Sequence, residues 1–204
     1  MTRLDQLIKL DELGIEFAGF IFYPKSPRYI KKFHLSAIDV KREKLNINRV
    51  GVFVNATADE VLKTVDDWRL QMVQLHGDES PKFCEHISNH VTTIKAFRIG
   101  PDENIEWKIY PYRDSADMYL FDTVGVNYGG TGIQFDWKML EKVNIGKPYF
   151  LSGGIGPEDA DRVKEFSVNQ HDLFSIDVNS KFEISPGVKD MDLIEQFCRK
   201  IKSI

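Results

Sequence analysis

Ser152-Gly153-Gly154-Ile155-Gly156 and Asp177-Val178-Asn179-Ser180-Lys181 each follow a short apolar run, Tyr149–Leu151 and Leu173–Ile176, and each leads into a helical pattern. Small and polar residues at helix starts leave backbone N–H groups pointing outward without partners. The helix dipole adds positive potential there, so the pair reads as a phosphate site built from Gly153, Gly154, Ser180 and Lys181. Gly153-Gly154 alone also suits a tight turn needing positive φ. The Lys181 side chain either adds charge to that site or points to solvent. Four more polar residues stand where chemistry could be placed. Asp122 closes the apolar run 118–121, and otherwise caps a turn before Thr123. His76 follows Met72–Leu75, and otherwise caps the strand end. Asp177 follows Leu173–Ile176, and otherwise caps a turn beginning at Asn179. Arg28 follows Pro24 and Pro27, which stiffen its loop. Its planar guanidinium suits a carboxylate or sugar oxygens, and otherwise it is a solvated loop residue.

The elements that must position these groups alternate between two periods. Continuous apolar runs at 17–22, 50–54, Met72–Leu75, 93–97, 118–121, Tyr149–Leu151 and Leu173–Ile176 suit parallel strands buried on both faces. Amphipathic stretches at 36–44, Ala58–Trp68, 81–89, 105–110, 136–143, 158–166 and 191–201 separate and follow them. Ser36, Thr57, Ser80, Asp136 and Asp190 stand as caps. The segment 123–135 is the longest irregular stretch and is rich in Gly. The alternation predicts one α/β domain over residues 1–204, with a parallel sheet. In a (β/α)8 barrel, phosphate binds at the loops after the last two strands, which fits the paired motifs.

The opening does not suit a complete barrel. Thr2-Arg3-Leu4-Asp5 resembles a capping box, and Leu4, Leu7, Ile8, Leu10 and Leu13 form an apolar stripe, with no strand before them. Eight helices and seven strands predict a (β/α)8 barrel whose first strand is missing, with two unpaired edges that favour self-association.

Composition excludes several classes. Hydrophobic residues make up 42% and charged residues 28%, as in an ordinary soluble domain. A net charge of −4 argues against nucleic acid and leaves room for a small anionic ligand. Cys84 and Cys198 are far apart, without metal-ligand spacing, and suit a reducing cytoplasm. No apolar run approaches a membrane span, and no secretory signal is expected.

The motifs, taken in order, are specific. Gly19-Phe20-Ile21-Phe22-Tyr23-Pro24-Lys25-Ser26-Pro27-Arg28-Tyr29 is followed by VGVFVN at 50–55, VQLHGD at 73–78, Phe121-Asp122-Thr123, Gly129-Gly130-Thr131-Gly132 and the two phosphate motifs. This order resembles the phosphoribosylanthranilate isomerases of tryptophan biosynthesis over essentially the whole chain. The resemblance implies a cytoplasmic, cofactor-free and metal-free barrel. It would convert N-(5′-phosphoribosyl)anthranilate to 1-(2-carboxyphenylamino)-1-deoxyribulose 5-phosphate. Asp122 would be the general acid, with Arg28 at the anthranilate carboxylate or the sugar oxygens, His76 beside the anthranilate ring, and Asp177 near the substrate hydroxyls. Gly129–132 would be the hinge of a flap. The family's base is a Cys in a Lys-x-Cys-Gly-like motif, and no residue here matches it, so low activity is expected of this chain as written.

Other readings remain at this stage. An indole-glycerol-phosphate synthase would want a catalytic Lys early in the barrel. A pentose-phosphate epimerase would want metal-binding His residues at strand ends, and of His34, His76, His86, His90 and His171 only His76 is so placed. A non-catalytic remnant that binds phosphorylated ligands is the third.

Overall fold

The computed structural model describes residues 1–123 and 135–202. Seven parallel strands form one sheet in strict chain order: β1 (Phe17–Ile21), β2 (Asn48–Phe53), β3 (Met72–Leu75), β4 (Thr92–Ile99), β5 (Met118–Thr123), β6 (Tyr149–Leu151) and β7 (Leu173–Ile176). Helices α1 (Leu4–Glu12), α2 (Ala37–Arg42), α3 (Ala58–Trp68), α4 (Pro81–Ser88), α5 (Ile105–Ile109), α6 (Lys138–Glu141), α7 (Ala160–Ser167) and α8 (Met191–Lys202) accompany it. A short antiparallel pair, β8 (Glu183–Ser185) and β9 (Val188–Lys189), precedes α8. All seven expected strands are present, and β1 and β7 are not paired with each other. The sheet is a curled barrel with one open seam.

Alternation along each strand creates two cores. Val50, Met72, Ile94, Ala96, Met118, Leu120 and Phe150 fill the barrel interior with Phe17. The Phe17 ring reaches across the seam to Phe174, with centroids 5.7 Å apart. The intervening residues, among them Phe20, Tyr119, Phe121 and Tyr149, pack outward with Leu7, Leu10 and Trp137. Under α3 and α4, Val61, Val73, Leu75, Cys84 and Ile87 form a third cluster.

The edge of β1 is not bare. Phe22 N–H donates to Val52, so the even-numbered residues of β1 face β2 and the odd ones face the seam. On the seam side, the Met1 amine donates to the Gly19 carbonyl, and Ile21 bridges to Tyr29. Partial desolvation there lowers the pKa of Met1's amine to about 5.

Most caps form as the sequence suggests. Ser36, Thr57 and Ser80 accept from the N–H groups of Asp39, Glu60 and Phe83. Asp190 accepts from Leu193 N–H at 3.1 Å, and Asp136 from Lys138 N–H at 3.1 Å. The box expected at Thr2–Asp5 does not form. Arg3 is the N-cap without a side-chain bond, Asp5 pairs with Arg3, and the Thr2 hydroxyl instead donates to the Gly187 carbonyl. Thr2 is buried against the β8–β9 pair, and that tertiary bond removes it from capping.

Candidate active site

The C-terminal strand ends open into one cavity of about 280 Å³. Its polar wall contains Arg28, Gln74, His76, Asp122, Ser152 and Asp177, with Gly153, Gly154, Asn179 and Ser180 beside them. The strands place these groups by alternation. Met118 and Leu120 face the interior, so Asp122 continues that face as β5 ends. Met72 sets the same phase for Gln74 and His76 on β3.

Asp122 is buried, with a close neighbour at each oxygen. Oδ1 accepts from Thr123 N–H at 2.8 Å, and Oδ2 meets His76 Nε2 at 3.2 Å. His76 Nδ1 lies 2.7 Å from Gln74 Oε1, which requires a proton on Nδ1. The imidazole and the carboxyl face each other at the cavity wall. Neither residue is a simple cap. Asp177 stands beside Ser152, whose hydroxyl donates to Oδ2 at 3.2 Å. Burial pushes the Asp177 carboxyl up, and the charge of Asp122 adds to the shift. Its partner is Ser152, and the turn Ser180–Phe182 begins from Asn179 without it.

The two glycine-and-serine motifs lie side by side as adjacent strand ends. Gly153 has φ +92° and Gly154 φ +70°. A Cβ on Gly153 would run into the Thr123 hydroxyl and backbone N, and would lie 3.0 Å from Asp122 Oδ1. Glycine is required both for the turn and for packing beside Asp122. The first amides of the turn at Ser180–Phe182 have no acceptor within the turn. Lys181 does not point freely to solvent. Its Nζ pairs with Glu158 at 3.1 Å, tying one motif to the other. Residues 129–132, the expected hinge, lie outside the described residues.

Arg28 is not a solvated loop residue. Nη2 meets Glu183 Oε2 at 2.6 Å, and Nε donates to both Glu183 oxygens at 3.0 and 2.8 Å. Burial alone would push the Glu183 carboxyl up, but the Arg28 hydrogen bonds and the charge of Lys189 hold it below its usual value. Glu183 and Lys189 were not singled out from the sequence. The only signal was their place in a polar hairpin just after the second phosphate motif. Of the two cysteines, Cys198 lines the cavity that holds Asp122 and Cys84 does not. Cys84 is buried in α4, where burial raises its thiol to about 11. Cys198 is half-buried on α8. Among the described residues, no group of three or more His, Cys, Asp or Glu could hold a metal ion. No helix among them is long and apolar enough to cross a membrane.

Known proteins resemble this chain over its whole length. A family model described as N-(5'phosphoribosyl)anthranilate (PRA) isomerase matches residues 1–200. An N-(5'-phosphoribosyl)anthranilate isomerase of Parabacteroides distasonis is 40% identical over 203 residues, covering 98% of this chain and 90% of that relative. One from Thermotoga neapolitana is 34% identical over 209 residues, covering 100% of this chain and 96% of the relative. The crystal structure of the Thermotoga maritima isomerase superposes with a TM-score of 0.85 at 33% identity, covering 100% of this chain and 96% of the other. Another, of the isomerase with reduced 1-(o-carboxyphenylamino)-1-deoxyribulose 5-phosphate, superposes with a TM-score of 0.81 at 31% identity and the same coverage. With a match that runs from the first residue to residue 200 and a fold shared throughout, this chain belongs to the phosphoribosylanthranilate isomerase family.

Proposed function

We infer that this chain binds N-(5′-phosphoribosyl)anthranilate in the 280 Å³ cavity and supplies the acid for its Amadori rearrangement. The observation that carries this reading is the Asp122–His76 contact, 3.2 Å long, beside the Gly153–Gly154 turn in one cavity. The substrate's phosphate lies against the N–H groups of Gly153, Gly154, Ser180 and Lys181. Its anthranilate carboxylate or sugar oxygens lie toward Arg28, its ring beside His76, and its hydroxyls near Asp177 and Ser152. Asp122 gives its proton to the furanose ring oxygen, and the ring opens to a Schiff base. A base removes the proton from C2, and the enolamine takes a proton at C1 while its C2 hydroxyl gives one up, which leaves the ketone. No atom is gained or lost, and the steps call for no cofactor.

The base is the part these strand-end side chains do not supply: Cys84 lies in α4 away from the cavity, and Cys198, which lines it, comes from α8 and not from a strand end. A further parallel strand seated between β1 and β7 would end in the same cavity, because the C-terminal ends of both neighbours do. A cysteine at that end would then face the substrate. Three proteins test the assignment by anthranilate fluorescence: this chain, the chain extended by a strand ending in Lys-x-Cys-Gly, and the extended Asp122→Asn variant. The extended chain should turn over about 10²–10⁴-fold faster than the chain as written. Asp122→Asn should lose most of that rate while binding the reduced product analogue almost unchanged, because the shape is kept and the proton donor is not. Full activity without the extension would mean that the base has been misassigned, and full activity in the Asn variant would mean the same for the acid.

A further inference from the structure

Lys189 is a buried lysine at the end of β9 that the rearrangement does not use. Its main chain is fixed on both sides by Gln6, which accepts from Lys189 N–H at 3.0 Å and donates to its carbonyl at 2.7 Å. Its ammonium donates to Asn179 Oδ1 at 2.7 Å, to the Asn179 carbonyl at 3.2 Å and to Glu183 Oε1 at 3.3 Å. Asn179 is the residue just before the turn Ser180–Phe182. Its φ of −139° and ψ of −91° belong to neither strand nor helix, and its carbonyl also accepts from Phe182 N–H at 3.1 Å. One ammonium therefore grips both oxygens of the residue whose backbone aims the next two amides.

Glu183 shares its Oε1 among Arg28, Gly187 N–H and Lys189. Arg28 and Lys189 carry two positive charges, and Glu183 carries one negative charge. Asp177 lines the same wall, and its charge, with that of Glu183, acts on Lys189 against the lowering that burial causes.

We propose that Lys189 is a positioning residue for phosphate, setting the Ser180–Lys181 amides through Asn179, and that Glu183 links this setting to the orientation of Arg28. The identity of the full ligand rests on the function proposed above, but phosphate binding can be read without it. Titration calorimetry with inorganic phosphate and with the reduced product analogue would be run on the wild type, Lys189→Met, Lys189→Arg and Asn179→Ala. Lys189→Met should weaken both probes by about tenfold, and Lys189→Arg should recover most of the loss, because the lost contacts are charge-assisted. Asn179→Ala alters an exposed side chain and should weaken phosphate by roughly threefold to tenfold.

Unchanged phosphate affinity in Asn179→Ala would overturn the proposal, even if Lys189→Met failed to fold. So would a Lys189→Met protein that melts lower yet binds phosphate like the wild type, since that is a structural role only. If the phosphate series behaves as expected while no protein binds the analogue, the functional reading fails and the role of Lys189 stands. If the wild type binds neither probe, both fall.

Discussion

Asp122 and Asp177 are two carboxyls in one cavity with different company. Asp122 has a backbone N–H and an imidazole, while Asp177 has a hydroxyl and a like charge nearby. The raised pKa of Asp177 has a thermodynamic sign. The folded protein holds the proton to higher pH than the unfolded chain does, so stability falls as pH rises through the folded pKa. Asp177→Asn keeps the shape and the bond to Ser152 but removes the charge. It should raise the melting temperature at pH 8, by roughly 2–4 °C for each kcal/mol recovered, and change little at pH 4. Melting curves at the two pH values check this, and an equal gain at both would refute the electrostatic cause. That Asp122, His76 and Asp177 line the cavity was legible in the sequence because each closes an apolar run, where alternation turns one side chain inward. Glu183, the partner of Arg28, and Lys189 were not, because they sit on a hairpin too short and polar to carry any periodic signal.

At the scale of elements, the strands were legible because burial on both faces leaves continuous apolar runs, and the helices because α3 and α8 show a clear 3.6-residue stripe. What the sequence misjudged was the start of α1. A Thr-x-x-Asp pattern reports local chemistry, and here the tertiary contact of Thr2 with Gly187 outcompetes it. Gln6 was missed for the same reason, a polar residue inside an apolar stripe that turns inward to bond Lys189. The β6–α7 connection carries its own requirement at Gly153. Gly153→Ala should cost about 1–3 kcal/mol through its positive φ and the clash with Thr123, and should displace Asp122. Urea denaturation measures the first effect and loss of analogue binding the second. A variant with wild-type stability would mean that the turn can adopt another conformation.

For the whole molecule, the defining feature is a sheet whose strands pair only with their neighbours in sequence. The ends of the chain meet through side chains: Thr2 with Gly187, Gln6 with Lys189, Arg28 with Glu183, and Lys202 with the carbonyl of Leu13. Such a sheet has a temporal consequence. Each strand pairing closes a modest loop, whereas the contacts between Gln6 and Lys189 span 183 residues and carry a larger loop-closure entropy. The chain should therefore add strands one after another and fasten its ends last. Breaking the fastening should leave the refolding rate alone and hasten unfolding. Stopped-flow kinetics of Gln6→Ala test this: the unfolding limb should rise by the full stability change, about 1–3 kcal/mol for two buried hydrogen bonds. A slowed refolding limb would show instead that the ends meet early. A molecule fastened last is also one that opens first, at the seam beside its own active site.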